Sequence, residues 1–332
     1  MSARILYGDL NLQHDPANPL ATVQLVRQAI RLGYDTVAIN VDIGEVLETG
    51  DQSMAAVEEG RKRKGGPGKK HLKRIPEPFR VPMADLQDVL PWLDQCAGTS
   101  SSGQRKFRQF TRISGLISET GFVHTFLKDP VVQKYDLIAV CPADETIFNT
   151  LIRKNEIDLL TFDPTSRPFW INKVKLVRQA GAAGIGFEIC YSPALVESSS
   201  QSRRQLFSTA RVLHNIAGRH GNVVLSSGAS ESWELRAPHD VAHMSLVFGW
   251  TAPDGLRAVG KNVLNVLLHS QSHKNSLSGA AYVQTVNSCP PKLLQKLLNV
   301  SEFACEVEAS SENAKKRSKL DSIDDKIDVG NS

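Results

Sequence analysis

The chain has 332 residues, 41% of them hydrophobic, which is enough to bury the core of one large α/β domain or two medium ones. Aromatics are only 6%, which excludes an aromatic-rich binding module and suits an aliphatic core of strands and helices. A formal net charge of +4 is too mild to name a partner by itself, so the distribution of charge must do so.

The pattern along the chain alternates strand and helix, with two interruptions. Ile5 to Leu10 reads as a strand and Thr22 to Leu32 as a helix with apolar residues at Val23, Val26, Ile30 and Leu32, stopped by Gly33. Thr36 to Val41, rich in β-branched residues, is a second strand. The pattern then dissolves, and residues 50–104 read as a surface insertion with a flexible basic centre. That centre is RKRKGGPGKKHLKR, Arg61 to Arg74, with eight basic residues and no acidic one. A short helix over Met83 to Cys96 follows it. Further strands are expected at Phe110 to Ile117, Leu137 to Cys141, Leu159 to Phe162, Ile185 to Tyr191 and Val223 to Ser227. Helices fall between them near Glu145 to Lys154, Asn172 to Ala180 and Arg203 to Ala217. Two more close the domain, Pro238 to Phe248 and Pro253 to His269, the latter capped by Thr251.

Strands alternating with helices imply parallel pairing through right-handed crossovers. Seven strands are awkward for a doubly wound sheet and one short of an eightfold barrel. The expected fold is therefore a distorted, incomplete TIM-like (βα) barrel over residues 1–287, with function on loops at the C-terminal strand ends. Residues 288–332 read as a polar, largely disordered tail. Within it, Glu306 to Ser332 holds seven acidic and five basic residues and no aromatic, too little apolar surface to order itself. The cluster KKRSK, Lys315 to Lys319, resembles the basic clusters that nuclear import receptors read.

The start Met-Ser-Ala-Arg leads directly into a strand-like run, and no apolar stretch approaches the ~20 residues needed to cross a bilayer. An intracellular protein without membrane contact is expected. The five cysteines, Cys96, Cys141, Cys190, Cys289 and Cys305, form no C-x-x-C pair, and are expected as reduced thiols.

No catalytic constellation emerges. Where barrel metallophosphoesterases of the polymerase-and-histidinol-phosphatase class carry H-x-H, the first strand has Asp9-Leu10-Asn11, a poor start for a metal site. His239 and His243 share a helix face but lack acidic company. Ser226, Ser227, His239 and Asp240 lack the G-x-S-x-G elbow of a nucleophilic triad. Ser226-Ser227-Gly228-Ala229 is either a phosphate-holding loop or a tight turn. No metal, cofactor or catalytic residue is expected.

The signals for nucleic acid are stronger. Arg61, Lys62, Arg63, Lys64, Lys69 and Lys70 in the insertion, with Arg105, Lys106 and Arg108 beside Phe107 and Phe110, suit a track along a phosphate backbone. Phe110 is better read as core. Arg112 interrupts an apolar strand and must find a strand end, a carboxylate such as Glu188, or a ligand. Arg203 and Arg204 begin a helix, where cations oppose the dipole, and Arg236 lies in the loop after the last strand.

Four stretches taken together, LGYDTVAIN (Leu32 to Asn40), YDLIAVCP (Tyr135 to Pro142), GFEICYSPAL (Gly186 to Leu195) and LSSGASESWELRAPHDVAHMSLVFGW (Leu225 to Trp250), resemble the thirty-kilodalton protein subunit family of ribonuclease P. The resemblance covers about Ala3 to Leu268. It implies a barrel related to the metallophosphoesterase class without its metal ligands. It implies a noncatalytic subunit of a nuclear and nucleolar ribonucleoprotein, in which RNA removes the 5′ leader of precursor tRNA. It also implies the related MRP particle in ribosomal RNA processing, a small ferredoxin-like protein partner and further particle subunits. Arg112 and Arg236, with Arg204, are the barrel positions it carries over as RNA contacts. Precursor tRNA would be met only indirectly. The alternatives are a metal-dependent phosphoesterase on the same barrel and an isomerase-like barrel acting on a phosphorylated metabolite.

Overall fold

The computed structural model describes residues 6–49, 70–95, 107–154, 156–163, 167–196, 199–217, 221–277 and 281–282. The chain divides into two units, 1–274 and 275–332. Of the second, the described part is a short antiparallel pairing of Ser276–Leu277 with Ala281–Tyr282.

The first unit follows the alternation expected from its pattern. In chain order come β1 (Gly8–Gln13), α1 (Pro19–Arg31), β2 (Thr36–Glu45), β3 (Leu47–Thr49), β4 (Lys70–Leu72), α2 (Pro91–Gln95), β5 (Arg108–Ile117), α3 (Val123–Leu127) and β6 (Leu137–Pro142). They are followed by α4 (Glu145–Ile152), β7 (Leu159–Leu160), α5 (Val174–Ala182), β8 (Gly186–Cys190), α6 (Ser192–Val196), α7 (Ser200–Ala217), β9 (Asn222–Ser226), α8 (Pro238–Met244), α9 (Ala252–Val259) and α10 (Lys261–Asn275). One seven-stranded sheet runs β1-β2-β5-β6-β7-β8-β9, with every pairing parallel. It closes on itself where Leu12 bridges Ala229, with Gln13 N–H donating to the Ala229 carbonyl and Gly228 N–H to that of Asn11. The result is a nearly closed, seven-stranded TIM-like barrel.

Within the stretch read as patternless, β3 and β4 pair antiparallel beside the barrel, and Met83–Leu86 forms one 3-10 turn before α2. The helix expected over Met83 to Cys96 is thus two short pieces. The helix expected over Pro253 to His269 is also two, because α9 ends at Gly260 and α10 restarts at Lys261. Thr251 and Asp254 form the capping box that starts α9.

Strand side chains alternate between the barrel interior and the helix-covered exterior. Leu10, Ala38, Leu137, Ala139, Leu159 and Val224 fill the interior, with Phe110 packed against them. Outside, residues such as Ile113, Ile138, Val140, Leu160, Phe187, Ile189 and Leu225 lie in the larger core with Phe148 of α4, Val177 of α5 and Leu206 and Leu213 of α7. Each such side chain contributes about 1.5–3 kcal/mol on burial. β1 breaks the alternation. The Asp9 carboxylate captures the Asn11 N–H (3.0 Å), and pairing with β2 slips between Asp9 and Leu12. The bulge turns Leu10 inward and Leu12 outward, against α1.

α10 lies across the N-terminal end of the strands. Its Val263, Val266 and Leu267 pack onto the interior residues just named. Gly8 and Gly186 make this approach possible, since a Cβ at either would stand 2.6 Å from Val263 or 2.7 Å from Val266.

Candidate functional site

The C-terminal strand ends frame a cavity of about 360 Å³, lined among others by Asn11, Gln13, Asn40, Asp42, Arg112, Ser114, Cys141, Asp163, Glu188 and Cys190. Alternation places these side chains. Phe110, Arg112 and Ser114 share one face of β5, and Gly186, Glu188 and Cys190 one face of β8. Arg112 and Glu188 therefore meet inside the barrel, though two strands separate β5 from β8 in the sheet.

Both side chains are fully buried, and they pair through both guanidinium nitrogens: Nη1 to Oε1 at 2.5 Å and Nη2 to Oε2 at 2.6 Å. Arg112 Nη1 also donates to the Leu10 carbonyl at 2.7 Å, while buried Nε has no partner. Asn11 Nδ2 donates to Glu188 Oε2 and to Cys190 Sγ, both at 3.2 Å. Asn11 Oδ1 accepts from Gln13 Nε2 (2.8 Å) and Asn40 Nδ2 (2.9 Å), which in turn donates to Ser114 Oγ. Burial opposes the Arg112 charge, but the Glu188 carboxylate beside it raises the guanidinium pKa, so it stays a cation.

This network answers the question of a metal at the mouth. Glu188 is the one fully buried carboxylate in the cavity lining, and an arginine already neutralises it. Among the described residues, no three His, Cys, Asp or Glu side chains converge there as ligands; the single group that does lies elsewhere in the barrel. Cys141 and Cys190 are free thiols. Burial pushes the Cys141 thiol up to about 11 and that of Cys190 well above its usual range.

The Ser226 to Ala229 segment is a tight turn rather than a phosphate cradle. Gly228 takes φ +66°, which glycine adopts without strain. The Ser227 N–H donates to the Asp9 carboxylate, that of Gly228 to the Asn11 carbonyl and that of Ala229 to Ser227 Oγ. The Ser230 N–H donates to Glu234. The backbone N–H groups of Ser227 to Ser230, which a phosphate would need, are thus spent internally. Buried Glu234 also accepts from Ser192 Oγ at 2.6 Å and so ties this turn to the YSPA turn after β8. Ser226 and Ser227 are buried, whereas His239 and Asp240 are exposed on α8, and no hydrogen bond among the described residues links them into a triad.

The basic residues read as an RNA surface separate into groups. Arg61, Lys62, Arg63, Lys64, Lys69, Arg105 and Lys106 lie outside the described residues, as does the side chain of Lys70. Arg108 is exposed at the start of β5, on the N-terminal edge of the sheet. Arg204 is exposed in α7, which follows the C-terminal end of β8, and Arg236 is partly exposed after β9. Arg236 caps the carbonyls of Trp233 (2.7 Å) and Leu235 (3.0 Å) through Nη1. Its backbone is held by Tyr34 and Tyr191, the first donating to its carbonyl and the second accepting its N–H. Arg112 leaves the set. A side chain with no exposed surface, neutralised by Glu188, offers nothing to a phosphate on the outside. Alternation along β5 gave the signal for that interior position, and of the options open to a buried arginine it is the carboxylate of Glu188 that balances it.

The family model described as RNase P subunit p30 matches residues 6–275. Among curated relatives, Protein GAMETOPHYTE DEFECTIVE 1 of Arabidopsis thaliana is 34% identical over 176 residues, 52% of this chain and 30% of the plant protein. Ribonuclease P protein subunit p30 of Mus musculus is 30% identical over 256 residues, 76% of this chain and 81% of the mouse protein. Ribonuclease P/MRP protein subunit RPP1 of Saccharomyces cerevisiae is 28% identical over 172 residues, 51% of this chain and 57% of the yeast protein. The chain therefore spans under a third of the plant relative and just over half of the yeast one. Among solved structures, a chain of archaeal ribonuclease P with mature tRNA superposes with a TM-score of 0.51 at 10% identity, covering 84% of this chain and 98% of that one. That likeness bears on the fold.

Proposed function

The chain belongs to the RNase P subunit p30 family, and on that premise we propose that it is a noncatalytic protein subunit of the ribonuclease P ribonucleoprotein. In this role it supports 5′ leader removal from precursor tRNA by stabilising the catalytic RNA. The name of the yeast relative supports extending the role to the MRP particle. The nucleus and nucleolus follow as its places of work, and a small ferredoxin-like subunit as a protein neighbour.

The observation that carries the noncatalytic part is the Arg112–Glu188 pair. A cation locked by two charge-assisted hydrogen bonds fills the centre of the barrel mouth, where a metallophosphoesterase would need anionic ligands free to take metal. RNA contact falls to the other cations: Arg204 and Arg236 beyond the C-terminal strand ends and Arg108 on the opposite edge, with Arg105, Lys106 and the insertion cluster Arg61, Lys62, Arg63, Lys64, Lys69 and Lys70 added on charge alone. Exposed guanidinium and ammonium groups release counterions from RNA phosphates.

The test is affinity purification of the tagged full chain at mild salt, followed by sequencing of the RNA that accompanies it. Recovery of a ribonuclease P or MRP RNA is expected and identifies the particle. A chain that carries no RNA and hydrolyses a phosphate ester in a chelator-sensitive way would replace this reading with the barrel enzyme.

A further inference from the structure

At the end of the barrel opposite the mouth, three side chains remain unexplained by RNA contact. Asp158 immediately precedes β7 and is fully buried. His269 and His273 stand one turn apart on α10, the helix that covers the strand N-termini. Imidazoles four residues apart on a helix project from one face. Both converge on the same oxygen, Asp158 Oδ1: His269 through Nδ1 at 3.3 Å and His273 through Nε2 at 2.9 Å.

We propose that Asp158, His269 and His273 bind a divalent transition-metal ion of the zinc type, which pins α10 to the base of the barrel. The spacing fits. Ligands about 2.0–2.1 Å from a tetrahedral zinc lie about 3.3 Å from one another. The three ligand atoms all fall within 4.8 Å of each other. The donor set of two imidazoles and a carboxylate suits zinc and leaves one position for water.

The surroundings are organised for these ligands. Asp158 Oδ2 accepts the Ile138 N–H at 2.9 Å, which fixes the carboxylate and turns Oδ1 to the histidines, as outer-shell hydrogen bonds do at metal sites. Gly184, at φ +88°, makes room for the His269 ring, since a Cβ there would stand 2.6 Å from its Cδ2. A buried carboxylate also requires a positive partner. Lys274 supplies part of that charge, since its ammonium lies close enough to interact with the Asp158 charge, but it donates to the Tyr135 carbonyl and not to Asp158 Oδ1. A metal ion between the imidazoles and Oδ1 would add positive charge at the oxygen on which both rings converge. The competing occupant is a proton on His273, which makes the cluster a plain ion pair.

The test uses the full chain, stripped with chelator and titrated with Zn²⁺ alone or with Co²⁺ as an optical probe. The stripped wild type should bind one equivalent more than the His269→Gln/His273→Gln variant. It should show the visible bands of tetrahedral Co²⁺ and rise in Tm by about 5 °C at a hundredfold excess of Zn²⁺ over Kd. The variant should show neither. His273→Cys, which keeps a ligand, should restore binding and add a thiolate-to-cobalt absorption; this guards against a variant that loses metal by unfolding. Equal uptake by wild type and double variant, or no uptake by the wild type, overturns the site and leaves the ion pair. Recovery of RNA with the chain is independent of all these outcomes.

Discussion

Arg112 and Glu188 join β5 to β8 across the barrel interior by two charge-assisted hydrogen bonds of 2.5 and 2.6 Å, with neither side chain reaching solvent. Desolvating both charges cancels much of the pair's Coulombic gain, but losing one partner strands the other. Glu188→Leu should therefore cost about 3–5 kcal/mol in urea unfolding, whereas Arg112→Met with Glu188→Leu should recover most of that loss. A single variant costing under about 1 kcal/mol would mean that water or a neighbouring group compensates Arg112.

Asp9 has a pH signature. Burial, outweighing the N–H bonds from Asn11 and Ser227, raises its pKa above the ordinary 3.8. The unfolded chain then releases this proton at lower pH than the folded one. The stabilisation is full below 3.8 and is lost as pH rises through the raised folded value. Asp9→Asn removes the titration, so the stability of wild type minus that of the variant should fall with rising pH over that window. Denaturation midpoints of both proteins from pH 3.5 to 7.5 test this, and a flat or rising difference would contradict it.

The two mouth cysteines should be poor nucleophiles. With Cys141 pushed up to about 11 by burial, only about one molecule in a thousand is a thiolate at pH 8. Cys190, half-buried beside Glu188 and pushed further up, should react still more slowly. Iodoacetamide labelling followed by peptide mapping should find both slow in the native protein and fast in urea. Rapid native labelling of either would mean that the mouth opens in solution.

How much of this the sequence disclosed follows from the range of each interaction. The strand β2 and the helices α4 and α7 are legible because a β-branched run or an apolar stripe is a local property. The break at Gly260 is not, because one apolar stripe runs through α9 and α10. The pairing of Arg112 with Glu188, 76 positions away, is legible only as one of several options for a charge in an apolar strand, and the use of the Ser227 N–H by a residue 218 positions away is not legible at all. The His269 and His273 pair is visible as i, i+4 spacing, but the carboxylate that gives it meaning lies 111 residues before His269. Local pattern set the barrel, and long-range pairing decided which charges face inward.

That division governs the last prediction, which concerns RNA. If surface cations make the contacts, Arg204→Gln and Arg236→Gln should each weaken binding at constant sequence preference. Each should also lower the slope of log affinity against log salt by about one unit per lost phosphate contact. Charge reversal of Arg61, Lys62, Arg63, Lys64, Lys69 and Lys70 should flatten the slope further. Arg112→Met with Glu188→Leu should leave it unchanged, because the interior pair meets no phosphate. Titrations of the full chain with ribonuclease P RNA between 50 and 300 mM salt separate these cases. A slope that changes with the interior double variant, but not with Arg204 or Arg236, would return the RNA to the barrel mouth.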